Sequence, residues 1–265
     1  MADRFTQRPE VLENDVLTRE DRRVSFERNA AVYDRVRPSY PEALIDAVIA
    51  RAPGKRALEV GAGTGKATAL FAKRDLSITA IEPSAAMASV LRANVPSVTI
   101  VESTFEDFDS PDRFDLVYAA QAFHWVDEAI GYAHAARLGR VLAVITNSKR
   151  PLDTGLRAEL DRAYARHFPL AGSEAPLDAT RAYWIEKFDR SEAFEPVELI
   201  EEPWDAHYST QEYLDLLSTS SNHAVHDDPQ PLYDAIRAAV DRRGGTIVIP
   251  YLTMAFVARS RTADR

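Results

Sequence analysis

The rhythm of hydrophobic and polar positions along this chain changes twice. Residues 1–28 carry mixed charge with little apolar periodicity, a pattern that predicts a charged, solvated arm. From Asn29 onward Val32, Tyr33 and Val36 fall at helical spacing. Arg37-Pro38-Ser39-Tyr40-Pro41 breaks that helix, and Leu44, Ile45, Val48 and Ile49 mark a second one ending near Ala52-Pro53-Gly54. Short apolar runs then alternate with amphipathic ones. They predict strands at Arg56–Val60, Ser77–Ile81, Ser97–Val101, Phe114–Ala119 and Arg140–Thr146, with helices at Lys66–Lys73, Pro83–Ala93 and Asp127–Leu138. Strands joined by crossover helices predict an α/β protein with a parallel, doubly wound sheet and helices on both faces.

Beyond Asn147 the alternation stops. Helices are expected at Leu152–His167, Ala179–Arg190, Gln211–Thr219 and Pro231–Arg242, and strands at Pro196–Glu202 and Thr246–Arg259. This predicts a core over 29–147, a helical cap over 148–245 that contains one sheet strand near 196–202, and a last sheet strand over 246–260. The two late strands are expected as an antiparallel edge hairpin, with the cap on the substrate side.

Composition narrows the chemistry. The chain has 265 residues and no cysteine, which excludes a thiolate nucleophile, a disulfide framework and Cys-ligated metal. With 32 basic against 41 acidic residues the net charge is −9, which disfavours long-range attraction to nucleic acid. Apolar runs such as Val141 to Ile145 fall far short of the ~20 residues of a membrane helix, and the first residues lack an apolar leader. A cytoplasmic location is expected, with no membrane and no nucleic acid as partner.

In an open α/β sheet, ligands bind at the carboxyl ends of the strands. The loop after the first strand, Glu59-Val60-Gly61-Ala62-Gly63-Thr64-Gly65, therefore carries the first chemical signal. A phosphate-binding P-loop built on Gly65-Lys66 needs glycine at 60 and a hydroxyl residue at 67, where the chain has Val60 and Ala67. A dinucleotide fingerprint needs its third glycine at 66, and here that glycine is Gly65. Nicotinamide binding, and with it an NAD(P)-dependent oxidoreductase, remains as the alternative reading. Glu82 closes the second strand 21 residues past Gly61, where a carboxylate can accept both hydroxyl protons of a ribose. Ser84 is placed to cap the helix that follows.

An acidic residue two before Gly-x-Gly-x-Gly resembles motif I of the class I S-adenosylmethionine-dependent methyltransferases. Glu82-Pro83-Ser84-Ala85-Ala86-Met87, Glu102-Ser103-Thr104-Phe105-Glu106-Asp107-Phe108 and the run Phe114 to Asp127 resemble later segments of the same family, in order, over roughly Asn29 to Ile145. Tyr33-x-x-x-Arg37-Pro38-x-Tyr40-Pro41, His124-Trp125 and Tyr251-x-Thr253 resemble the small-molecule branch that includes trans-aconitate methyltransferase-like proteins. Two departures stand out: Ser103 where an Asp is usual, and the short Leu138-Gly139-Arg140 link.

The resemblance implies a Rossmann-like seven-stranded fold, S-adenosylmethionine as cofactor, and a small-molecule methyl acceptor. It implies cofactor contacts from Glu59, Gly61, Ala62, Gly63 and Gly65 around the loop, and from Glu82, Pro83 and Met87 at the ribose. Thr104, Phe105 and Glu106 are expected at the adenine, and Ala120, Gln121, Ala122 and Trp125 at the methionine end, with Tyr33 and Arg37 folded over the cofactor. His124 is the candidate general base and Gln121 a candidate for orienting substrate. Trp184, Trp204, Tyr208, Tyr213, His223 and Tyr251 are candidates to wall an acceptor pocket. Asp127 is the only acid close to the expected methyl site, so no metal is expected. A non-catalytic S-adenosylmethionine-binding protein is the remaining alternative.

Overall fold

The computed structural model describes residues 30–168, 176–220, 223 and 228–262, and the arm expected at 1–28 lies outside the described residues. The helices are α1 (Ala30–Val36), α2 (Glu42–Ile49), α3 (Lys66–Ala72), α4 (Ala85–Asn94), α5 (Glu128–Leu138), α6 (Thr154–His167), α7 (Leu177–Ser191), α8 (Thr210–Ser218) and α9 (Gln230–Asp241). The strands are β1 (Arg56–Val60), β2 (Ser77–Ile81), β3 (Thr99–Val101), β4 (Leu116–Ala120), β5 (Val141–Lys149), β6 (Glu198–Ser209) and β7 (Thr246–Arg259). They form one seven-stranded sheet in the order β3-β2-β1-β4-β5-β7-β6, mostly parallel with an antiparallel edge pair, as the alternation of elements predicted. Among the described residues no helix is long and apolar enough to cross a membrane.

The chain divides into two compact units. One comprises residues up to Pro38, Lys149–Leu177 and Pro203–Leu252; the other comprises Ser39–Ser148, Asp178–Glu202 and Thr253 onward. Helix α7 therefore groups with the sheet unit and not with the other helices of the expected cap over 148–245. Its sequence explains this: Trp184 packs on Phe256, Phe188 on Tyr132 and Phe194, and Lys187 pairs with Glu128. The first unit has its own apolar core, with Leu156 and Leu160 of α6, Tyr213 and Leu217 of α8, and Leu232, Ile236 and Val240 of α9.

In the second unit the central strands are buried along almost their whole length, because helices cover both faces of a parallel sheet. Leu44, Ile45 and Val48 of α2, Phe71 of α3 and Tyr118 of β4 lie in one core cluster there. Phe71 and Tyr118 stack at 3.9 Å. Several strand ends differ from the sequence pattern: β4 covers Leu116–Ala120 in place of Phe114–Ala119, and β5 runs on to Lys149. β3 begins only at Thr99, and β6 continues through Pro203 to Ser209. β6 is the last strand in the sheet order, an edge position where a proline is tolerated.

Candidate functional site

Every residue of the site described next lies in the second unit. β1 pairs with β2 on one side and β4 on the other, all parallel, so strand order reverses at β1 and the carboxyl ends share one edge. The loop Gly61–Gly65 leaves β1 at this point. Gly61 (φ +66°) lies so close to the segment after β4 that a Cβ there would stand 2.6 Å from the Cβ of Ala122. Gly63 (φ +59°) differs in kind, because a Cβ there would meet nothing within 4 Å. The first glycine permits close packing, and the second opens onto space that a ligand can fill. Ala62 is buried and its N–H donates to the Ile81 carbonyl (3.0 Å), which ties the loop to β2; Gly65, also left-handed, leads into α3.

Glu82, just past β2, is only 7% exposed. Its Oε2 accepts from the Gly63 N–H (2.7 Å) and its Oε1 from the Ser84 N–H (2.8 Å), so each oxygen keeps further lone-pair capacity. Burial raises its pKa, and the two backbone bonds oppose that shift. Ser84 caps α4 as expected, accepting from the Met87 N–H at 3.3 Å; Met87 is buried and Pro83 exposed. An open cradle at Gly63 beside a carboxylate with accepting capacity fits a ribose bearing two hydroxyls, so the residues present suit the expected cofactor.

Glu59, expected at the cofactor, turns inward. It is 1% exposed and accepts the Tyr118 hydroxyl at 2.9 Å. Burial pushes its carboxyl from the usual 4.5 up to about 7, with the neighbouring Thr68 and Tyr118 hydroxyls opposing and the nearby Glu82 charge adding to the rise. The folded state therefore holds this proton more tightly than the unfolded chain does. The stabilisation is complete below about pH 4.5 and is lost as pH rises toward about 7. Thermal melts across that window are expected to show wild type losing stability relative to Glu59→Gln; parallel curves would refute the assignment.

After β3, the side chains expected around adenine brace their own loop. Thr104 Oγ1 donates to Asp107 Oδ2 (2.8 Å) and accepts from the Asp107 N–H (3.2 Å). Glu106 Oε1 accepts from the Asp127 N–H at 2.8 Å, and buried Phe105 meets His134 edge-on at 4.8 Å.

After β4, half-buried Ala120 leads to Gln121, whose φ of 56° is unusual for a residue with a Cβ. The Gln121 carboxamide faces β5: Oε1 accepts the Thr146 hydroxyl (2.9 Å) and Nε2 donates to the Asn147 carbonyl (3.2 Å). A short 3-10 helix, Phe123–Trp125, follows Ala122 and holds the half-buried rings of His124 and Trp125 with centroids 4.7 Å apart. Asp127 caps α5 through the Ala129 N–H (2.9 Å). Among the described residues no group of three His, Asp or Glu is arranged to hold a metal.

Tyr33 and Arg37 belong to the first unit. The Arg37 guanidinium donates to the Thr219 carbonyl (2.6 Å) and hydroxyl (3.0 Å), and lies 5.0 Å from the Tyr33 ring centroid. Of the aromatic candidates for an acceptor pocket, Tyr208, Tyr213 and Tyr251 are core residues of that unit, and Trp204 stacks on Tyr251 at 5.2 Å. His223 is 3.1 Å from the Tyr164 hydroxyl, and Trp184 is core of the second unit. Sequence reasoning passed over Tyr118, Thr146 and Asn147. A polar Thr-Asn pair straight after the apolar run of β5 was the one local signal for the last two.

Residues 57–144 match the family model described as a methyltransferase domain. An uncharacterised methyltransferase of Mycobacterium tuberculosis is 38% identical over 136 residues, covering 50% of this chain and 56% of that protein. The trans-aconitate 2-methyltransferase of Enterobacter sp. is 30% identical over 135 residues, 48% of this chain and 52% of that protein. The chain spans about half the length of these curated relatives. Among solved structures, a protein of Anaeromyxobacter dehalogenans assigned as a type II methyltransferase superposes with a TM-score of 0.63 at 24% identity, over 84% of this chain and 97% of that one.

Proposed function

We propose that the protein is a class I S-adenosylmethionine-dependent methyltransferase, on the match of residues 57–144 to a methyltransferase domain, and that it moves a methyl group to a small-molecule acceptor by in-line displacement. The observation that carries the reading is the open cradle at Gly63 beside the buried carboxylate of Glu82. The similarity to a trans-aconitate 2-methyltransferase supports a small, acidic acceptor.

Glu82 would hold the ribose diol, with Gly63 leaving the cradle open and Gly61 letting the loop pack on Ala122. The segment Gln121–Trp125 would line the methyl-bearing end. When bound, the donor would supply an electrophilic methyl on a cationic sulfonium for in-line transfer to an acceptor lone pair, with its own sulfur keeping the displaced electron pair. Alignment is the protein's main contribution, and it reaches about 7–11 kcal/mol in favourable systems. For a hydroxyl or amine acceptor His124 would take the displaced proton, whereas a carboxylate acceptor needs no base.

Calorimetry with S-adenosylhomocysteine, followed by labelled S-adenosylmethionine with a metabolite extract, tests the proposal. Saturable binding and a labelled small-molecule product are expected. Absence of binding, or a response to NADH in its place, would overturn it.

A further inference from the structure

We propose that Thr146 is a positioning residue for methyl transfer, acting through Gln121 on the backbone that faces the methyl-bearing end of the donor. The inference rests on the reading above, in which residues 121–125 line that end. Gln121 is left-handed at φ 56°, a conformation that residues with a Cβ adopt only when their surroundings hold them in it. Here the holding groups are three successive residues at the end of β5. The Gln121 N–H donates to the Ile145 carbonyl (2.9 Å), its Oε1 accepts the Thr146 hydroxyl (2.9 Å), and its Nε2 donates to the Asn147 carbonyl (3.2 Å).

The anchor is itself fixed. Thr146 is 2% exposed and β-branched, so its hydroxyl has few directions to point. The Asn147 side chain donates to the Ser39 carbonyl (2.9 Å) and accepts the Thr253 hydroxyl (2.5 Å). What the latch controls lies next along the chain. Ala122 packs so closely on Gly61 that the loop leaves no room for a second methyl, and the Trp125 N–H donates to the Ala122 carbonyl (3.0 Å) to close the 3-10 turn. A shift at Gln121 therefore moves both the glycine loop contact and the His124-Trp125 segment. The Gln121 carboxamide, a candidate for orienting substrate from the sequence, is engaged inward and shapes its own backbone.

The test is a double-mutant cycle read by calorimetry with S-adenosylhomocysteine and by thermal melts of the ligand-free protein. Thr146→Val, which removes the hydroxyl and keeps the shape, is expected to weaken binding about tenfold, near the upper range for one lost hydrogen bond. Thr146→Ser restores the donor and should stay within about twofold of wild type. Gln121→Gly removes the latch and also the backbone penalty, so it should bind weakly while melting no lower than wild type. In that background Thr146→Val should cost no further affinity. An unchanged affinity in Thr146→Val, or in Gln121→Gly if the valine variant folds poorly, overturns the proposal, as does an equal loss in both backgrounds. Failure of wild type to bind S-adenosylhomocysteine overturns the donor reading and this inference together, whereas wild-type binding with a silent Thr146→Val overturns this inference alone.

Discussion

Replacing Glu82 with alanine is expected to weaken S-adenosylhomocysteine binding about 10³-fold while leaving the protein folded. The size follows from two charge-assisted hydrogen bonds to the ribose, each contributing about 1.5–3 kcal/mol, with 1.4 kcal/mol equal to a factor of ten. The effect on folding should be far smaller, because two terms oppose. The substitution leaves the Gly63 and Ser84 N–H groups without their acceptor, but it also removes a buried carboxylate whose raised pKa reports the strain of desolvation. Calorimetry beside a thermal melt separates the two readouts. A folded Glu82→Ala protein with wild-type affinity would remove the carboxylate from the cofactor site.

The two loop glycines should respond in opposite ways to the same added methyl group. Gly61→Ala is expected to cost about 2–5 kcal/mol of stability, about 1–2 from the left-handed backbone and the rest from overlap with Ala122, whose Cβ lies 2.6 Å from the new atom. The double variant Gly61→Ala with Ala122→Gly should recover the overlap share and not the backbone share. Gly63→Ala carries the backbone share alone, about 1–2 kcal/mol, since its Cβ meets nothing within 4 Å. Its affinity for S-adenosylhomocysteine should nevertheless fall at least ~100-fold, because the methyl occupies the cradle and displaces the ligand from Glu82. Equal melting temperatures for the two single variants, or undiminished binding by Gly63→Ala, would contradict this division of labour.

Those contrasts also mark how far the sequence could be read. β1, β2 and β7 fall at the predicted residues, because each is an apolar run bounded by charge or glycine, and such signals are local. The glycine loop, Glu82 and the Ser84 cap were legible for the same reason: each is a spacing rule within about two dozen residues. What sequence reading missed depends on partners distant in the chain. Glu59 reads as a ligand-facing acid until Tyr118, 59 positions later, is found donating to it. The Gln121 carboxamide reads as a group for orienting substrate, and only its bonds to Thr146 and Asn147 show that it faces β5. Helix α7 is amphipathic like its neighbours in sequence, and only its contacts with Phe256, Tyr132 and Phe194 assign it to the sheet unit. The 3-10 turn at Phe123–Trp125 has too few residues to show any period.

Neither unit occupies a continuous stretch of chain: each is assembled from three segments, and β6 and β7 each contribute residues to both. As the polypeptide leaves the ribosome, the glycine loop and Glu82 emerge well before the strand that supplies Thr253 to Asn147. Completion of the first unit must therefore wait for a loop closure spanning more than a hundred residues, and that of the second for two shorter ones, a topology that favours slow folding and leaves the early sheet strands in need of protection during synthesis.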